Sequence, residues 1–232
     1  WLKQNLIKNV KIEDISNKIS LIALQGPNSR NFLSTLTEID LMMPFYTFIE
    51  GVVCGSSVLL SRTGYTGELG FEIYGNKEEI IIIWEELLKL GVEPAGLASR
   101  DILRMEMKYC LYGNDIDENT NPIEAGLSWI TVLDKGPFIG YNKIQQEKEN
   151  GSSRKLVSFK MKERGIPRSG YAVYIESKRI GTVTSGTQSP FLNNGIGLAY
   201  INHPFNKIGQ NISISIRNRL LDAIIIQPPF LN

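Results

Sequence analysis

The first half of the sequence alternates between apolar runs typical of strands and apolar positions at helical spacing. The run at 19–25 predicts a buried strand, and Gly26-Pro27 predicts a turn that opens a short helix. Residues 77–90 place apolar side chains at helical spacing with glutamates between them, which predicts an amphipathic helix. Strands that alternate with single helices predict a sheet covered by helices, of the α+β or α/β class. Further elements are predicted as strands at 45–49, 52–60 and 71–74 and as a helix at 97–110.

After a polar segment at 147–154 the pattern changes to short alternating runs separated by turns. Glycine and serine give this segment the composition of a linker. Short strands at regular spacing favour a small closed barrel. The sequence therefore predicts two domains, 1–146 and 154–232, the second of which is the barrel. Its strands are expected at 155–161, 171–176, 179–185, 195–201, 211–216 and 220–226.

Composition narrows the classes of function. The 232 residues are 42% hydrophobic and carry 25 basic against 24 acidic side chains, so no overall field favours binding to nucleic acid or to an anionic membrane. The longest strongly apolar run, Ile80 to Trp84, is far shorter than the roughly 20 residues of a membrane span. Cys54 and Cys110 are the only thiols, which favours a reducing compartment. The chain opens on Trp1 without an initiator methionine, so we expect a processed product or a fragment.

Several kinds of catalytic site find little support. His203 is the only histidine and has no nucleophile or metal-ligand spacing near it. The glycines at 64, 67 and 70 lack the lysine and the following helix of a phosphate loop. The acidic run at 115–118 lacks the glycine and terminal glutamate of a calcium loop, so capping and turn roles are favoured there. No metal site is predicted, and what remains is polar recognition.

Glu72 is the first candidate for such recognition. It lies between Phe71 and Ile73 on a predicted strand, so its side chain points to the opposite face from theirs. A carboxylate in a pocket would accept paired hydrogen bonds from an amino-pyrimidine edge, and Tyr65 would offer a flat surface or a hydroxyl. The alternative interpretation is a solvent-facing glutamate and a turn tyrosine, and spacing alone does not decide between them.

Two arginines of the helix at 97–110 are further candidates. Arg100 and Arg104 are four residues apart and share a helical face, from which they could bind an anionic or carbonyl-bearing ligand. The alternative is an intrahelical salt bridge to Asp101 or Glu106.

Five collinear segments resemble the glycine cleavage system T-protein family, the aminomethyltransferases, over nearly the whole chain. They are IALQGPNSRNFL at 22–33, SRTGYTGELGFEIY at 61–74, PAGLASRDILRMEMKYCLYGNDIDENTNPIEAGLSW at 94–129, LDKGPFIGYNKI at 133–144 and IGTVTSGTQSPFLNNGIGLAYI at 180–201. Collinear motifs of this length are far more specific than a glycine pattern.

The resemblance implies a reaction, a fold and a set of binding residues. The family transfers the one-carbon unit of glycine from aminomethyl-lipoyl H-protein to tetrahydrofolate and releases ammonia. Its α+β fold combines ferredoxin-like folate-binding modules with a C-terminal antiparallel barrel, so residues 1–146 would be the remainder of the folate-binding domain. By motif position, Glu72 would bind the pterin edge, Tyr65 would line the cavity, and Arg100 and Tyr109 would contact folate from the helix.

The resemblance also implies a missing segment. By comparison with the family the chain lacks roughly the N-terminal third, which carries the family's catalytic aspartate. We therefore assign no catalytic residue and expect this chain alone to be inactive. Lipoylated H-protein is the implied partner, tetrahydrofolate the implied co-substrate, and the bacterial cytoplasm the implied location, or the mitochondrial matrix if the source is eukaryotic.

Three alternatives remain open. A folate-binding paralogue in tRNA modification or iron–sulfur maintenance would carry a cysteine where Pro137 stands in the segment 135–141. A folate-dependent demethylase of the same fold resembles the motifs at 61–74 and 111–122 less well. An inactive interaction module is the third alternative, because the family's catalytic segment lies outside the resemblance.

Overall fold

A computed structural model describes residues 1–231, which form two compact units. The first runs from Trp1 to Gly96, and the second begins at Leu97. Within the described residues, no helix is both long enough and apolar enough to cross a membrane.

The first unit is a four-stranded antiparallel sheet with helices on one face. The strands follow the spatial order β1-β4-β3-β2, so the two edges are β1 and β2. The helical face is apolar because alternate strand residues such as Ile22, Leu60 and Ile73 point toward it, where Ile80 and Ile83 of α2 cover them. The elements are β1 (Ser20–Gln25), α1 (Ser29–Leu33), β2 (Phe48–Val53), β3 (Ser56–Ser61), β4 (Gly70–Gly75) and α2 (Lys77–Lys89).

Helix α2 begins with a reciprocal capping box. The Asn76 side chain accepts a hydrogen bond from the backbone N–H of Glu79, and the Glu79 carboxylate accepts one from the backbone N–H of Asn76, each at 3.0 Å. Two backbone donors that have no partner inside the helix are thereby satisfied. The predicted amphipathic helix at 77–90 is confirmed to within one residue.

The hairpin of β2 and β3 differs from its prediction. Strands were expected at 45–49 and 52–60 around Gly51, but Gly51 lies inside β2 and the turn falls at Cys54 and Gly55. Both turn residues have positive φ, 52° and 78°, as a tight two-residue hairpin loop requires. Gly51 is needed for space instead, because a Cβ there would lie 2.5 Å from Cδ1 of Ile39.

The second unit contains a closed six-stranded antiparallel barrel, which confirms the predicted barrel and the α+β class. The strands close in the order β10-β5-β8-β7-β6-β9. Its interior is filled by apolar side chains such as Phe159, Val183 and Ile214. The elements are α3 (Leu97–Glu106), α4 (Tyr141–Asn150), β5 (Arg154–Met161), β6 (Ala172–Ile175), β7 (Lys178–Ser189), β8 (Asn194–Asn202), β9 (Asn211–Ile216) and β10 (Arg219–Ile226).

One helix of this unit ends earlier than predicted, and another helix, α4, was not predicted. Helix α3 was expected to continue to residue 110 but ends at Glu106, and Lys108 follows with a left-handed φ of 60°. The polar segment at 147–154 was predicted as a linker, but its first four residues, up to Asn150, form the last turn of α4. Gly151 follows the helix with φ of 80° and ψ of 155°, a conformation that is available mainly to glycine.

Candidate functional site

Glu72 lies in the middle of the sheet of the first unit, on the face opposite the helices. Phe71 and Ile73 on either side of it are fully buried in the helical face. On the open face its cross-strand neighbours are Ala23 of β1 and Ser61 of β3. The alternation of β4 therefore gives Glu72 the orientation that the sequence predicted.

The Glu72 carboxylate is half-buried and bonded by hydroxyl groups. Its Oε2 accepts a hydrogen bond from Thr63 Oγ1 and another, at 3.3 Å, from the Tyr74 hydroxyl. Ser61 Oγ lies 2.6 Å from Thr63 Oγ1 and extends the cluster. Burial, followed by the negative charge of Glu72, raises the pKa of Tyr74, so Tyr74 stays a neutral donor. Glu72 is thus held in place, unlike the freely solvated glutamate of the alternative interpretation.

An open cavity lies beside this cluster on the first unit. Its volume is about 920 Å³, and Tyr74 and Leu59 form part of its wall together with Ile19 and Val52. Pockets that take small organic ligands have volumes of roughly 300–1,000 Å³ and mostly apolar walls with a few fixed polar groups. Tyr74 belongs to both the cavity wall and the hydroxyl cluster, whereas Glu72 lies next to the cavity and outside its wall. A flat ligand with N–H donors would have to extend from the cavity past Tyr74 to reach the carboxylate.

The glycine-dense segment before β4 is organised around the side chain of Gln25. Its Nε2 donates to the backbone carbonyls of Thr63 and Phe71, each at 3.2 Å. A Cβ at Gly64 would lie 2.0 Å from Oε1 of Gln25, and a Cβ at Gly70 would lie 2.1 Å from the same atom. These glycines therefore make room for an amide that ties the loop to the sheet, and they do not form a phosphate-binding loop.

The four predicted binding residues divide between the two units. Tyr65 is half-buried in the loop tied down by Gln25, which leads into the strand of Glu72. Arg100 is exposed on α3, and Tyr109 follows shortly after the end of that helix in the second unit.

Arg104 does not share the exposed position of Arg100. Only 1% of its surface is accessible, so of the two interpretations left open for Arg104 its burial favours the salt bridge over the ligand contact. Its guanidinium donates to Asp101 at 2.8 Å and to Asp115 at 2.6 Å, and Ser185 accepts another of its hydrogen bonds at 2.9 Å. It also donates to the backbone carbonyl of Tyr109 at 3.1 Å. The alternative of an intrahelical bridge to Asp101 is confirmed, but only as one part of this cluster.

Asp115 is the second half of the buried pair. It is 1% exposed and accepts hydrogen bonds from the backbone N–H of Leu111 and from the hydroxyl of Thr184. Tyr200 of the barrel donates to its backbone carbonyl at 2.9 Å. Burial alone would lower the pKa of Arg104, but the hydrogen bonds and charges of the two aspartates outweigh burial and raise it. The pair joins α3, the following loop and the barrel wall.

A second ion pair near the start of the barrel was not foreseen. Arg154 donates to both carboxylate oxygens of Glu124, at 2.8 and 3.0 Å, and its guanidinium lies 4.3 Å from the ring centre of Tyr200. Burial would raise the pKa of Glu124, yet the bonds from Arg154 and from the backbone of Asn121 lower it.

Asp117 has the predicted turn role, because it accepts hydrogen bonds from the backbone N–H of Asn119 and from the hydroxyl of Thr120. In residues 1–231 no cluster of three potential metal ligands occurs.

Two domain-family models match the chain, one in each half. Residues 1–135 match the model of the GCVT N-terminal domain, and residues 154–232 match that of the glycine cleavage T-protein C-terminal barrel domain. Each matched region is therefore a domain of the glycine cleavage T-protein class. The chain belongs to the glycine cleavage T-protein family.

Individual relatives agree with this assignment. An aminomethyltransferase of Halothermothrix orenii is 45% identical over 236 residues, which cover 100% of this chain and 66% of the relative. One of Thermosipho melanesiensis is 47% identical over 99% of this chain and 64% of its own length. The crystal structure of glycine cleavage system aminomethyltransferase T from Bartonella henselae superposes with a TM-score of 0.85 at 31% identity, covering 92% of this chain and 60% of that one. The chain thus spans about two thirds of the length of these curated relatives.

We expect Gly70→Ala to destabilise the first unit by about 1–3 kcal/mol, because the new methyl group displaces the Gln25 amide and leaves backbone acceptors unpaired. Urea unfolding measures the change. In the double variant Gln25→Ala/Gly70→Ala the clash is absent, so its stability should equal that of Gln25→Ala alone. Strict additivity of the two changes would contradict this account of the loop.

We expect Arg104→Met to cost about 3–5 kcal/mol of unfolding free energy, because it leaves the buried charge of Asp115 uncompensated. The double variant Arg104→Met/Asp115→Leu should recover part of the loss. Lys143→Met, an exposed cation on α4, serves as the control and should change stability by less than about 0.5 kcal/mol. A loss below about 1 kcal/mol for Arg104→Met would show that the pair is not needed.

Proposed function

We propose that this chain is the folate-binding and barrel portion of an aminomethyltransferase. The reaction takes the aminomethyl group from the lipoyl arm of H-protein, releases ammonia and delivers the one-carbon unit to tetrahydrofolate. Support comes from relatives that are named aminomethyltransferases. They are 43–47% identical to this chain and align with 99–100% of it. The single structural observation that carries the proposal is the Glu72 carboxylate, fixed by hydroxyl donors on an open sheet.

The described residues fit the reduced pterin of tetrahydrofolate. Glu72 has the chemistry to accept two parallel hydrogen bonds from the amino-pyrimidine edge, and the adjoining cavity has the volume of a small-ligand site. Tyr65 would contact the pterin from the glycine-dense loop, outside the wall of the adjoining cavity. Arg100 and Tyr109 would contact folate from α3, where an exposed cation suits the carboxylates of the folate tail.

These residues contribute binding and orientation. Tetrahydrofolate supplies the nitrogen that accepts the one-carbon unit. Glu72 fixes the plane and direction of the pterin, which brings that nitrogen to a defined position. The hydroxyls of Thr63 and Tyr74 keep the carboxylate from rotating. No described residue is assigned to proton transfer in this proposal.

We propose further that the chain binds folate but does not complete the reaction by itself. The chain covers about two thirds of the length of its relatives. The family resemblance implies that the catalytic aspartate belongs to the N-terminal part of the family, which this chain does not match. Lipoylated H-protein is the proposed partner. The bacterial cytoplasm is the proposed location, since the named relatives are bacterial.

A division into domains at 1–146 and 154–232 is also proposed. The two family models leave residues 136–153 between them, which supports a boundary in this region. The compact units, by contrast, separate after Gly96. A family domain and a compact unit therefore need not coincide, because α3 packs on the barrel through Met105 although it belongs to the first family domain.

We expect Glu72→Gln to weaken tetrahydrofolate binding about tenfold, because it replaces one charged acceptor with a donor at nearly constant volume. Titration calorimetry measures the dissociation constant. The matched control is Glu68→Gln, an exposed glutamate in the adjoining loop, which should bind like the parent chain. Equal affinity of the Glu72→Gln variant and the parent would remove Glu72 from the site.

We expect this chain to release no ammonia from aminomethylated H-protein in the presence of tetrahydrofolate, whereas a protein extended by any upstream coding sequence to the length of its relatives releases it. An ammonia assay on both proteins decides the question. Turnover by the chain alone would refute the proposed inactivity. The absence of turnover by both proteins would refute the proposed function.

A further inference from the structure

One end of the barrel holds a cavity with an unusual concentration of arginines. Its volume is about 880 Å³. Arg164, Arg168, Arg217 and Arg219 line it, and no aspartate or glutamate does. None of the residues proposed above to bind folate belongs to this lining, so the cavity requires a separate explanation.

Two of the arginines extend from a segment that is packed tightly against the barrel. A Cβ at Gly186 would lie 2.5 Å from the backbone oxygen of Pro167, and a Cβ at Gly195 would lie 2.2 Å from that of Gly165. The segment therefore lies directly on the backbone of β7 and β8. Arg168 is also tied by a hydrogen bond to the carbonyl of Gly186 at 3.2 Å. Arg164 and Arg168 consequently start from a fixed backbone.

The other two arginines belong to the tight hairpin between β9 and β10. Arg219 pairs with Ile216 in the ladder, so Arg217 and Asn218 form a two-residue loop with φ of 50° and 63°. Loops of this kind favour asparagine or glycine at both positions, because a left-handed backbone crowds a Cβ. An arginine at 217 is thus a poor choice for the turn itself. Residues in sparsely populated backbone regions occur preferentially at functional sites.

None of the four guanidiniums takes part in a salt bridge within residues 1–231. The Glu163 carboxylate, next to Arg164 in the sequence, keeps its charge but is not part of the lining, and it accepts a hydrogen bond from the backbone N–H of Asp222 at 2.8 Å. Like charges gathered around a concave surface produce a local positive potential, although the net charge of the chain is only +1.

The remaining lining decides the kind of ligand. Tyr171, Ile216 and Leu221 supply aromatic and aliphatic surface, and Gln188 and Asn193 supply amides. A concave site of this size with mixed walls suits a small molecule better than the flat contact typical of a protein surface. Guanidinium groups bind phosphates and carboxylates through paired hydrogen bonds.

We propose that this cavity, here called the arginine cavity, binds a small organic polyanion with at least two phosphate or carboxylate groups on an apolar or aromatic body. The anionic groups bind Arg164, Arg168, Arg217 and Arg219 at the rim. The body rests on Tyr171 and the aliphatic floor. The site needs only residues of the barrel and of the segment and hairpin that close this end.

Titration calorimetry of the 232-residue chain tests the proposal, with inorganic triphosphate and citrate as separate probes at 150 mM salt. We expect saturable binding of at least one probe, and the tighter one identifies phosphate or carboxylate as the preferred group. Arg219→Gln should weaken that binding about tenfold. The matched control is Arg179→Gln, an exposed barrel arginine outside the cavity, which should leave binding unchanged.

Arg217→Gly separates a binding role from a structural one. Glycine suits the left-handed backbone at 217, so the melting temperature should stay the same or rise while the affinity for the probe falls about tenfold. Three results would overturn the proposal. They are the absence of saturable binding of both probes, equal losses in Arg219→Gln and Arg179→Gln, and unchanged affinity in Arg217→Gly.

Discussion

A single buried cation, the guanidinium of Arg104, organises the part of the second unit that surrounds α3. An arginine with 1% exposure is tolerated only when its donors are satisfied, and here two aspartates, a serine and a backbone carbonyl satisfy them. Because Ser185 belongs to β7 and Asp115 to the loop after α3, these contacts fix the helix on the barrel in one rotational setting. Arg100 one turn earlier, and Tyr109 just beyond the helix end, take their positions from that setting.

The first unit uses the same principle with a neutral group. The Gln25 amide holds the glycine-dense loop by hydrogen bonds to two backbone carbonyls, and small residues on both sides leave it space. Apolar packing tolerates small shifts, whereas a buried polar group with directional bonds permits few alternatives. In each unit, therefore, a polar side chain helps the hydrophobic core to fix the segment that carries proposed binding residues. This side chain is the half-buried Gln25 in the first unit and the buried Arg104 in the second.

Sequence patterns predicted features that depend on neighbouring residues and missed those that depend on distant ones. Alternation around Phe71 and Ile73 oriented Glu72 correctly, and short runs between turns predicted the closed barrel. Helical spacing placed Arg100 and Arg104 on one face, but only Arg104 is buried, because its partner Ser185 lies 81 positions away in the chain. The turn at Cys54 and Gly55 was misplaced because strand pairing across β2 and β3, and not the glycine at 51, sets the register. The binding role of Tyr109 came only from family resemblance, whereas Tyr65 was also a candidate from its aromatic ring and hydroxyl near Glu72.

Because the barrel is closed, its strands should separate from their neighbours less readily than the edge strands of the open sheet. Each of its six strands is paired on both sides, so no strand can detach without breaking two ladders at once. The sheet of the first unit has two edge strands, β1 and β2, and either can separate by losing a single ladder. Amide protons exchange with solvent through such partial openings. Deuterium should therefore enter the open sheet first and the barrel last, and this difference in time maps the cooperative units of the chain.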